Sequence, residues 1–293
     1  LQEDADLLTA RYYSRAARDL AKQINRKKNQ LRALLRAYCP PLSRVFPGSK
    51  LHHPAVFALL QDYLVPDEFV QAGAEALTAT LTAHCRDAFG FSEAQQLVEA
   101  SRQALVRSVR RDAIHCLVQA HIEDITTFQQ RKAFYLKSGY ALIEDRQEAK
   151  LLRTVKGAGV SNTLALVSEI GDVPRFSSGD QLASFLGLTT SQHISGATLV
   201  QSKRITKQGS RNGRYAAVNV AQHLSHRVPR YQAMYQRIKD RKPQRKGHFI
   251  ALVAVARDFV CNVLYDMWRN QRPFFVEVSD YRAYRHKHLP AND

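Results

Sequence analysis

Helical periodicity in the first forty residues constrains this chain more than any other feature. From Leu7 to Ala37 the sequence carries nine Lys or Arg against one acid, Asp19, and its apolar residues recur at helical spacing. The segment Cys39-Pro40-Pro41 ends the pattern, because proline cannot continue a helix. The sequence therefore predicts a mainly α protein that begins with a long basic helix, whose apolar side consists of Leu20, Ile24, Leu31, Leu34 and Leu35.

Helical patterns also fill most of the next hundred residues. Two shorter helices are predicted near Pro54–Tyr63 and Pro66–His84. The sequence Ser92-Glu93-Ala94-Gln95 has the form of a capping box, which predicts the start of another long helix. We expect this helical run to continue towards Arg153, with a break near Gly139.

The charge balance indicates a polyanionic partner. The net charge is +17, and the sequence pI is about 9.9. The segment from Lys203 to Lys246 alone carries thirteen Lys or Arg against one acid, Asp240. This density exceeds what a solvated surface needs, so nucleic acid is the expected partner.

Other classes of protein fit the sequence less well. The late apolar run around residues 248–268, whose apolar stripe includes Ile250, is interrupted by Arg257 and Asp258, so we expect a core helix and no membrane span. Four scattered cysteines predict no disulfide framework and a reducing, cytoplasmic location. The pairs His84-Cys85 and His115-Cys116 lack the close spacing of zinc ligands.

A pair of glycines marks a tight connection in the second half of the chain. Gly157-Ala158-Gly159 precedes a predicted helix that starts near Ser161 and has Leu164, Val167 and Ile170 on one face. Such a turn leaves backbone N–H groups free at the helix start, where they can bind phosphate. The pattern predicts either a helix-hairpin-helix that binds DNA through Gly157 and Gly159, or an ordinary helical hairpin.

A second small-residue turn carries a serine. Ser195 and Gly196 lie within the segment from Gly187 to Arg214 and are followed by cations without an acid between them: Lys203, Arg204, Lys207, Arg211 and Arg214. A hydroxyl surrounded by cations suits attack on a phosphodiester. The alternative is a polar hairpin with a solvated basic face.

From Leu151 to Phe275 these features resemble the C-terminal domain of transposases of the insertion-sequence 110 family, which includes pilin-gene invertases. The shared order comprises the G-x-G turn, EIGD-x-x-RF from Glu169 to Phe176 and QLASFLGL from Gln181 to Leu188. The Ser-Gly turn, the R-I-x-K-x-G-x-x-x-x-R run from Arg204 to Arg214 and a late Lys246-Gly247 follow.

The resemblance implies a recombinase that cuts and joins DNA. In the family, a RuvC-like half holds Mg²⁺ with a D-E-D-D set of acids, and the serine corresponding to Ser195 is the nucleophile. A coiled-coil linker pairs protomers, and a structured guide RNA selects donor and target DNA. We therefore expect DNA, guide RNA and further copies of the chain, as a homodimer or homotetramer, as partners of a cytoplasmic, nucleoid-associated protein.

The same resemblance divides the chain into four parts. Residues 1–10 correspond to the end of the RuvC-like domain, 11–150 to the helical linker, 151–275 to the transposase domain with the helix-hairpin-helix, and 276–293 to a basic tail. Leu97, Leu105, Val109, Ile114, Leu117 and His121 give imperfect heptads in the linker, so packing within one chain competes with dimerisation.

Asp4 fits the last aspartate of the family's acidic set, which makes it a candidate catalytic and metal-binding residue. An equally good interpretation is an acidic N-cap for the first helix. The preceding acid of the family falls at Leu1, and the first residue is not methionine, so we expect an incomplete chain that does not cut DNA by itself.

Two function classes follow from this. The chain is either part of an RNA-guided serine transposase or a non-catalytic, nucleic-acid-binding remnant of one. A helix-hairpin-helix glycosylase that uses Asp172 fits less well, because the transposase pattern already accounts for that segment.

Overall fold

The fold of the protein is mainly α, as predicted. A computed structural model describes residues 4–85, 87–104, 110–195, 198–241 and 244–274. Within those ranges, helices make up nearly all of the regular structure, and one two-stranded antiparallel sheet accounts for the rest. The helices are α1 (Ala5–Tyr38), α2 (Pro40–Val45), α3 (Pro54–Asp62), α4 (Pro66–Ala83), α5 (Phe91–Arg102), α6 (Arg111–Ala141), α7 (Gln147–Leu152), α8 (Val160–Ile170), α9 (Gly179–Phe185), α10 (Arg211–Arg227), α11 (Pro229–Asp240), α12 (Gln244–Asp258) and α13 (Tyr265–Arg269).

The long first helix matches the prediction closely. Of the five predicted apolar residues, Leu34 is half-buried and the other four are buried. α1 ends at Tyr38, and α2 begins at Pro40, where proline occupies a first-turn position that needs no amide hydrogen. Cys39, between the two helices, is fully buried, and burial raises the pKa of its thiol to about 12.

The chain divides into two compact units, Asp19–Lys132 and Leu1–Arg18 with Ala133–Asp293. The first of these, called here the helical unit, has its own core of aliphatic and aromatic side chains, in which Leu31, Phe46, Leu59 and Phe69 are completely buried. Leu97 and Ile114, two of the predicted heptad positions, lie in this core, whereas Leu117 is exposed. Leu105 and Val109 lie outside the described residues. Pairing between copies of the chain stays a prediction.

The second unit, called the α8–α10 unit, is organised around α8 and α10. Every residue of α8 from Thr163 to Ile170 is buried, including the predicted Leu164, Val167 and Ile170. Ala217, Val220 and Leu224 of α10 pack into the same core. The start of α1, from residue 4 to residue 18, belongs to this unit as well. The division of the chain at residues 10, 150 and 275 stays a prediction.

The helical run predicted from Ser92 towards Arg153 is present, but the predicted positions of its start and of its break are wrong. α5 starts one residue earlier, at Phe91, and its cap is Gly90, whose amide donates a hydrogen bond of 3.0 Å to Oε2 of Glu93. Ser92 instead accepts a hydrogen bond from the side chain of Gln96. The run then breaks between α5 and α6, and α6 continues past Gly139 to Ala141.

The late apolar helix contributes to the core of the α8–α10 unit. The run Lys246–Arg269 is long and apolar enough to cross a membrane by length and composition, and 44% of its most apolar window is buried. Val255, Phe259 and Val260 are completely buried among the core residues. Ile250, which the sequence placed on the apolar stripe, is exposed. A π-helical stretch, Phe259–Leu264, joins α12 to α13.

Candidate functional site

The segment that carries the predicted nucleophile is a β-hairpin. Strand β1 (Thr190–Ser195) pairs in antiparallel register with strand β2 (Thr198–Ile205), and Ser195 lies opposite Thr198. Ser195 is therefore the last residue of β1, and Gly196 lies outside the described residues. Lys203 and Arg204 follow in β2. The structure describes the backbone of these three residues and not their side chains.

The two ends of the hairpin pack directly on one another through their backbones. The amide of Ser210 donates a 3.0 Å hydrogen bond to the carbonyl oxygen of Phe185. Gly187 and Gly209 have φ values of 67° and 94°, and a Cβ on either would lie 2.1 Å from a backbone oxygen. Glycine is required at both positions because no side chain fits between the two segments. The position of β1 is thereby tied to the start of α10.

Arg214 has a structural contact at this junction. Its Nη1 atom donates a 2.9 Å hydrogen bond to the carbonyl oxygen of Leu186, and its guanidinium lies against Gly187. The pKa of Arg214 is lowered mainly by burial, and the positive charges of Arg18 and Arg211 lower it further. The structure thus gives Arg214 a carbonyl partner, and its predicted contact with DNA stays a prediction.

A buried carboxylate joins three segments at the same place. Arg15 of α1 binds Glu169 of α8 with two hydrogen bonds, Nε to Oε1 at 2.7 Å and Nη2 to Oε2 at 2.9 Å. The side chain of Glu169 is only 2% exposed. The hydroxyl of Ser210 donates a 3.0 Å hydrogen bond to Oε2 of the same carboxylate and accepts one from the amide of Gly213, which caps α10.

The partners of Glu169 keep it charged. Burial raises the pKa of the Glu169 carboxyl, but the hydrogen bonds and charge of Arg15, together with Ser210 and Arg11, outweigh burial and bring it below its ordinary value of 4.5. Arg175, which lies in the same sequence motif as Glu169, makes a different contact. The guanidinium of Arg175 lies over the rings of Phe176 and Phe185, at 4.6 Å and 4.7 Å.

Two further contacts fasten the start of α1 to this junction. Nε of Arg11 donates a 2.9 Å hydrogen bond to the carbonyl oxygen of Ser168 near the C-terminal end of α8. The side-chain amide of Asn212 donates a 2.8 Å hydrogen bond to the hydroxyl of Ser14, and both residues are buried. These contacts make the first helix part of the framework that supports the hairpin.

Exposed positive charge surrounds the start of α10. Lys207 and Arg211 are both exposed, and Lys207 has a φ of 56° in the loop between β2 and α10. Arg18 places its guanidinium carbon 4.6 Å from the ring centre of Tyr215, which is 51% exposed. We call Arg18, Arg211, Arg214 and Tyr215 the α10 surface.

The paired glycines of the helical turn have different environments. Gly157 has a φ of 105°, and a Cβ there would lie 2.3 Å from Cβ of His223 in α10. It is therefore a packing residue. Gly159 caps α8 with a φ of −67°, and nothing lies within 4 Å of where its Cβ would be. The exposed side chains of Arg153 and Lys156 belong to the same turn.

The central part of this unit is similar to a family of known proteins. Residues 149–236, from α7 into α11, match the family described as "Transposase IS116/IS110/IS902 family". Over this domain, the chain is similar to the transposases of the IS116/IS110/IS902 family. The matched residues include the hairpin, Glu169, Ser210 and the α10 surface residues Arg211, Arg214 and Tyr215.

Over much of its length, this chain is also similar to individual curated proteins. It is 27% identical to "Insertion element IS110 uncharacterized 43.6 kDa protein" of Streptomyces coelicolor over 256 residues, which is 86% of this chain and 60% of the relative. It is also 27% identical to a "Pilin gene-inverting protein" of Moraxella bovis and to one of Moraxella lacunata, in each case over 61% of this chain. The chain thus corresponds to somewhat more than half the length of these curated relatives.

Asp4, the candidate metal ligand of the transposase resemblance, caps the first helix. Its Oδ1 accepts hydrogen bonds from the amides of Asp6 and Leu7, at 3.0 Å and 3.2 Å. Its Oδ2 accepts a 2.6 Å hydrogen bond from Arg146, which is the main reason why the pKa of Asp4 lies below its ordinary value. The N-cap alternative is therefore what the structure shows, while metal binding by Asp4 stays a prediction.

The described residues do not by themselves fit the magnesium ion that the sequence resemblance implies. No three or more His, Cys, Asp or Glu side chains converge anywhere in the described part of the chain. Magnesium is held by several oxygen ligands, whereas Asp4 has both carboxylate oxygens engaged by protein groups.

The sequence did not reveal three residues of this site, namely Arg15, Ser210 and Tyr215. The spacing of Arg11, Arg15 and Arg18 places them on one face of α1, and that pattern was visible in the sequence. Their partners were not visible, because Glu169 and Tyr215 lie more than a hundred residues further along the chain.

Proposed function

We propose that this chain is the DNA-joining part of a transposase and that Ser195 is its nucleophile. In the proposed step, Oγ of Ser195 attacks a phosphodiester, a phosphorus–Oγ bond forms and the bond to one deoxyribose oxygen breaks. The serine proton is lost, and the departing oxygen takes up a proton. The similarity of residues 149–236 to the transposase family and the position of Ser195 support this proposal.

The single observation that carries the proposal is that the two ends of the hairpin are held together by backbone contacts. Ser195 ends β1, and the two bases of the hairpin are held against each other by the Ser210–Phe185 hydrogen bond and the Gly187 and Gly209 contacts. A nucleophile needs a fixed position relative to the bond it attacks, because misplacement by about 1 Å can cost a hundredfold in rate. The buried Glu169 supplies further rigidity through Ser210.

Cations in the hairpin and at its end would hold the phosphates on either side of the reacting bond. Lys203 and Arg204 lie in β2, and Lys207 and Arg211 are exposed where β2 leads into α10. The capped start of α8 offers a second phosphate site, since the space beside Gly159 is open and Lys156 is exposed. In this proposal Gly157 acts indirectly, by packing the turn on α10.

The family resemblance extends the proposal to partners. DNA is the substrate, a structured guide RNA selects the sites, and Mg²⁺ is bound by acids of a RuvC-like half. Further copies of the chain would complete a dimer or tetramer. We propose the cytoplasm, close to the chromosome, as the location where these partners meet.

A second candidate function is nucleic-acid binding without cleavage. Its support is the set of contacts that Asp4 makes, because one carboxylate oxygen caps α1 and the other accepts a hydrogen bond from Arg146. A carboxylate with these partners loses them if it binds a metal ion, so the described residues favour a structural role for Asp4.

Covalent capture on DNA separates the two candidates. The chain is incubated with labelled DNA and Mg²⁺, alone and in a version that also carries a family RuvC-like half, and the products are resolved under denaturing conditions. The transposase proposal predicts a protein–DNA adduct in the extended version and none with the chain alone. DNA binding without an adduct in either preparation would support the second candidate.

A further inference from the structure

The α10 surface combines an exposed aromatic ring with clustered positive charge. The guanidinium of Arg18 lies 4.6 Å from the centre of the Tyr215 ring, within the range of a cation–π contact. Half of Tyr215 stays exposed in this arrangement. The contact holds the ring in place while part of it remains open to a ligand.

The charges around Tyr215 repel one another. Arg18 and Arg211 both lower the pKa of Arg214, which means that the three cations are close enough to oppose each other's charge. Glu169, the buried acid beside the start of α10, is already engaged by Arg15 and Ser210. An anion bound at this surface would relieve the repulsion, so phosphate is a fitting ligand for the exposed Arg211.

We propose that Tyr215 stacks on an unpaired nucleobase while Arg211 contacts the adjoining phosphate. The inference rests on the proposed function and adds to it a preference of this surface for single-stranded segments. In a duplex each base is stacked on its neighbours, so only an unpaired or displaced base can offer its face to Tyr215. An acidic protein segment could use the cations, but it would have no use for the ring.

Binding measurements on the full chain test this preference. The probes are an oligothymidylate and a DNA duplex of the same length, used with Tyr215→Ala, Tyr215→Phe and the control Tyr12→Ala. Tyr12 is a suitable control because it is another tyrosine of the α8–α10 unit and is 64% exposed. Melting temperatures of all variants show that they are folded.

We expect Tyr215→Ala to weaken binding of the oligothymidylate about tenfold, as loss of one base–aromatic stack does, and to change duplex binding less than about twofold. Tyr215→Phe keeps the ring and should bind like the unaltered chain, as should Tyr12→Ala. The inference is overturned if Tyr215→Ala and Tyr12→Ala bind the oligothymidylate with equal affinity, or if Tyr215→Ala loses as much affinity for the duplex as for the oligothymidylate. Either result would leave the proposed function intact.

Two other outcomes are informative. An unaltered chain that binds neither probe would overturn the proposed function and this inference with it. An unaltered chain that binds poly-glutamate as tightly as oligothymidylate would overturn the inference, because the surface would then recognise acidic protein.

Discussion

Arg15 and Glu169 are 154 residues apart in the sequence and form a two-point ion pair in which the carboxylate is almost fully buried. The pair connects the first helix to the start of α10, because Glu169 also accepts a hydrogen bond from Ser210. A residue near the chain's beginning is thus part of the support for the hairpin that carries Ser195.

Removing Arg15 should destabilise the α8–α10 unit. Arg15→Ala leaves a buried carboxylate without its main partner, and breaking such a pair costs about 3 kcal/mol. The arginine itself is half-exposed, so the loss falls at the lower end of the usual range. Thermal unfolding followed by circular dichroism measures it.

The matched control for Arg15→Ala is Arg26→Ala, which removes an exposed arginine from the same helix. Its effect on stability should stay within about 0.5 kcal/mol. Equal effects of the two variants would contradict the structural role of the Arg15–Glu169 pair.

The same pair predicts a pH dependence. The pKa of Glu169 is below its ordinary value of 4.5 in the folded chain, so its contribution to stability is fully present above pH 4.5 and is lost as the pH falls through the folded pKa. In Glu169→Gln this contribution is missing at every pH. The difference in melting temperature between the two proteins should therefore be largest near pH 7 and shrink below pH 4.5, whereas a constant difference would argue against the ion pair.

The two glycines of the helical turn should respond differently to alanine. Gly157→Ala combines a positive φ with a clash against His223, so we expect a loss of more than about 2 kcal/mol. Gly159→Ala meets open space and should change stability by less than about 1 kcal/mol. If Gly159 admits a phosphate, its alanine variant should also bind DNA more weakly, and unchanged DNA binding would remove the α8 start from the proposed interface.

Arg211 and Arg214 should separate into a binding residue and a structural one. Arg211→Ala removes an exposed charge, so the melting temperature should stay the same while the slope of log affinity against log salt falls by about one. Arg214→Ala removes the hydrogen bond to Leu186 and should lower the melting temperature by about 4 °C. A titration at several salt concentrations with melting curves on the same variants checks both, and an unchanged slope for Arg211→Ala would assign that side chain to solvated surface.

Local features of the fold could be predicted because their causes are local. The limits of α8 follow from its apolar spacing and the preceding glycines, and the end of α1 follows from Pro40 and Pro41. The cap of α5 was misplaced because Gly90 has no side chain to mark it, whereas Ser92 resembles a cap. Ile250 was placed on the wrong face because the helix is apolar on several sides.

The candidate site could be predicted only as a set of segments. The sequence located the serine turn, the glycine turn and the basic run, since each is continuous along the chain. It could not pair Arg15 with Glu169 or Arg18 with Tyr215, because such contacts depend on how α1, α8 and α10 pack. It also offered two roles for Asp4, and only the three-dimensional contacts with Arg146 and Leu7 show the capping role.

The central claim is that Ser195 bonds covalently to DNA, and adduct formation by matched serine variants tests it most directly. In the version that carries a RuvC-like half, Ser195→Ala and Ser191→Ala are compared with the unaltered protein; Ser191 is a second serine of β1. We expect Ser195→Ala to abolish the adduct while DNA affinity changes less than about twofold, and Ser191→Ala to form the adduct normally. Normal adduct formation by Ser195→Ala would contradict the assignment of the nucleophile.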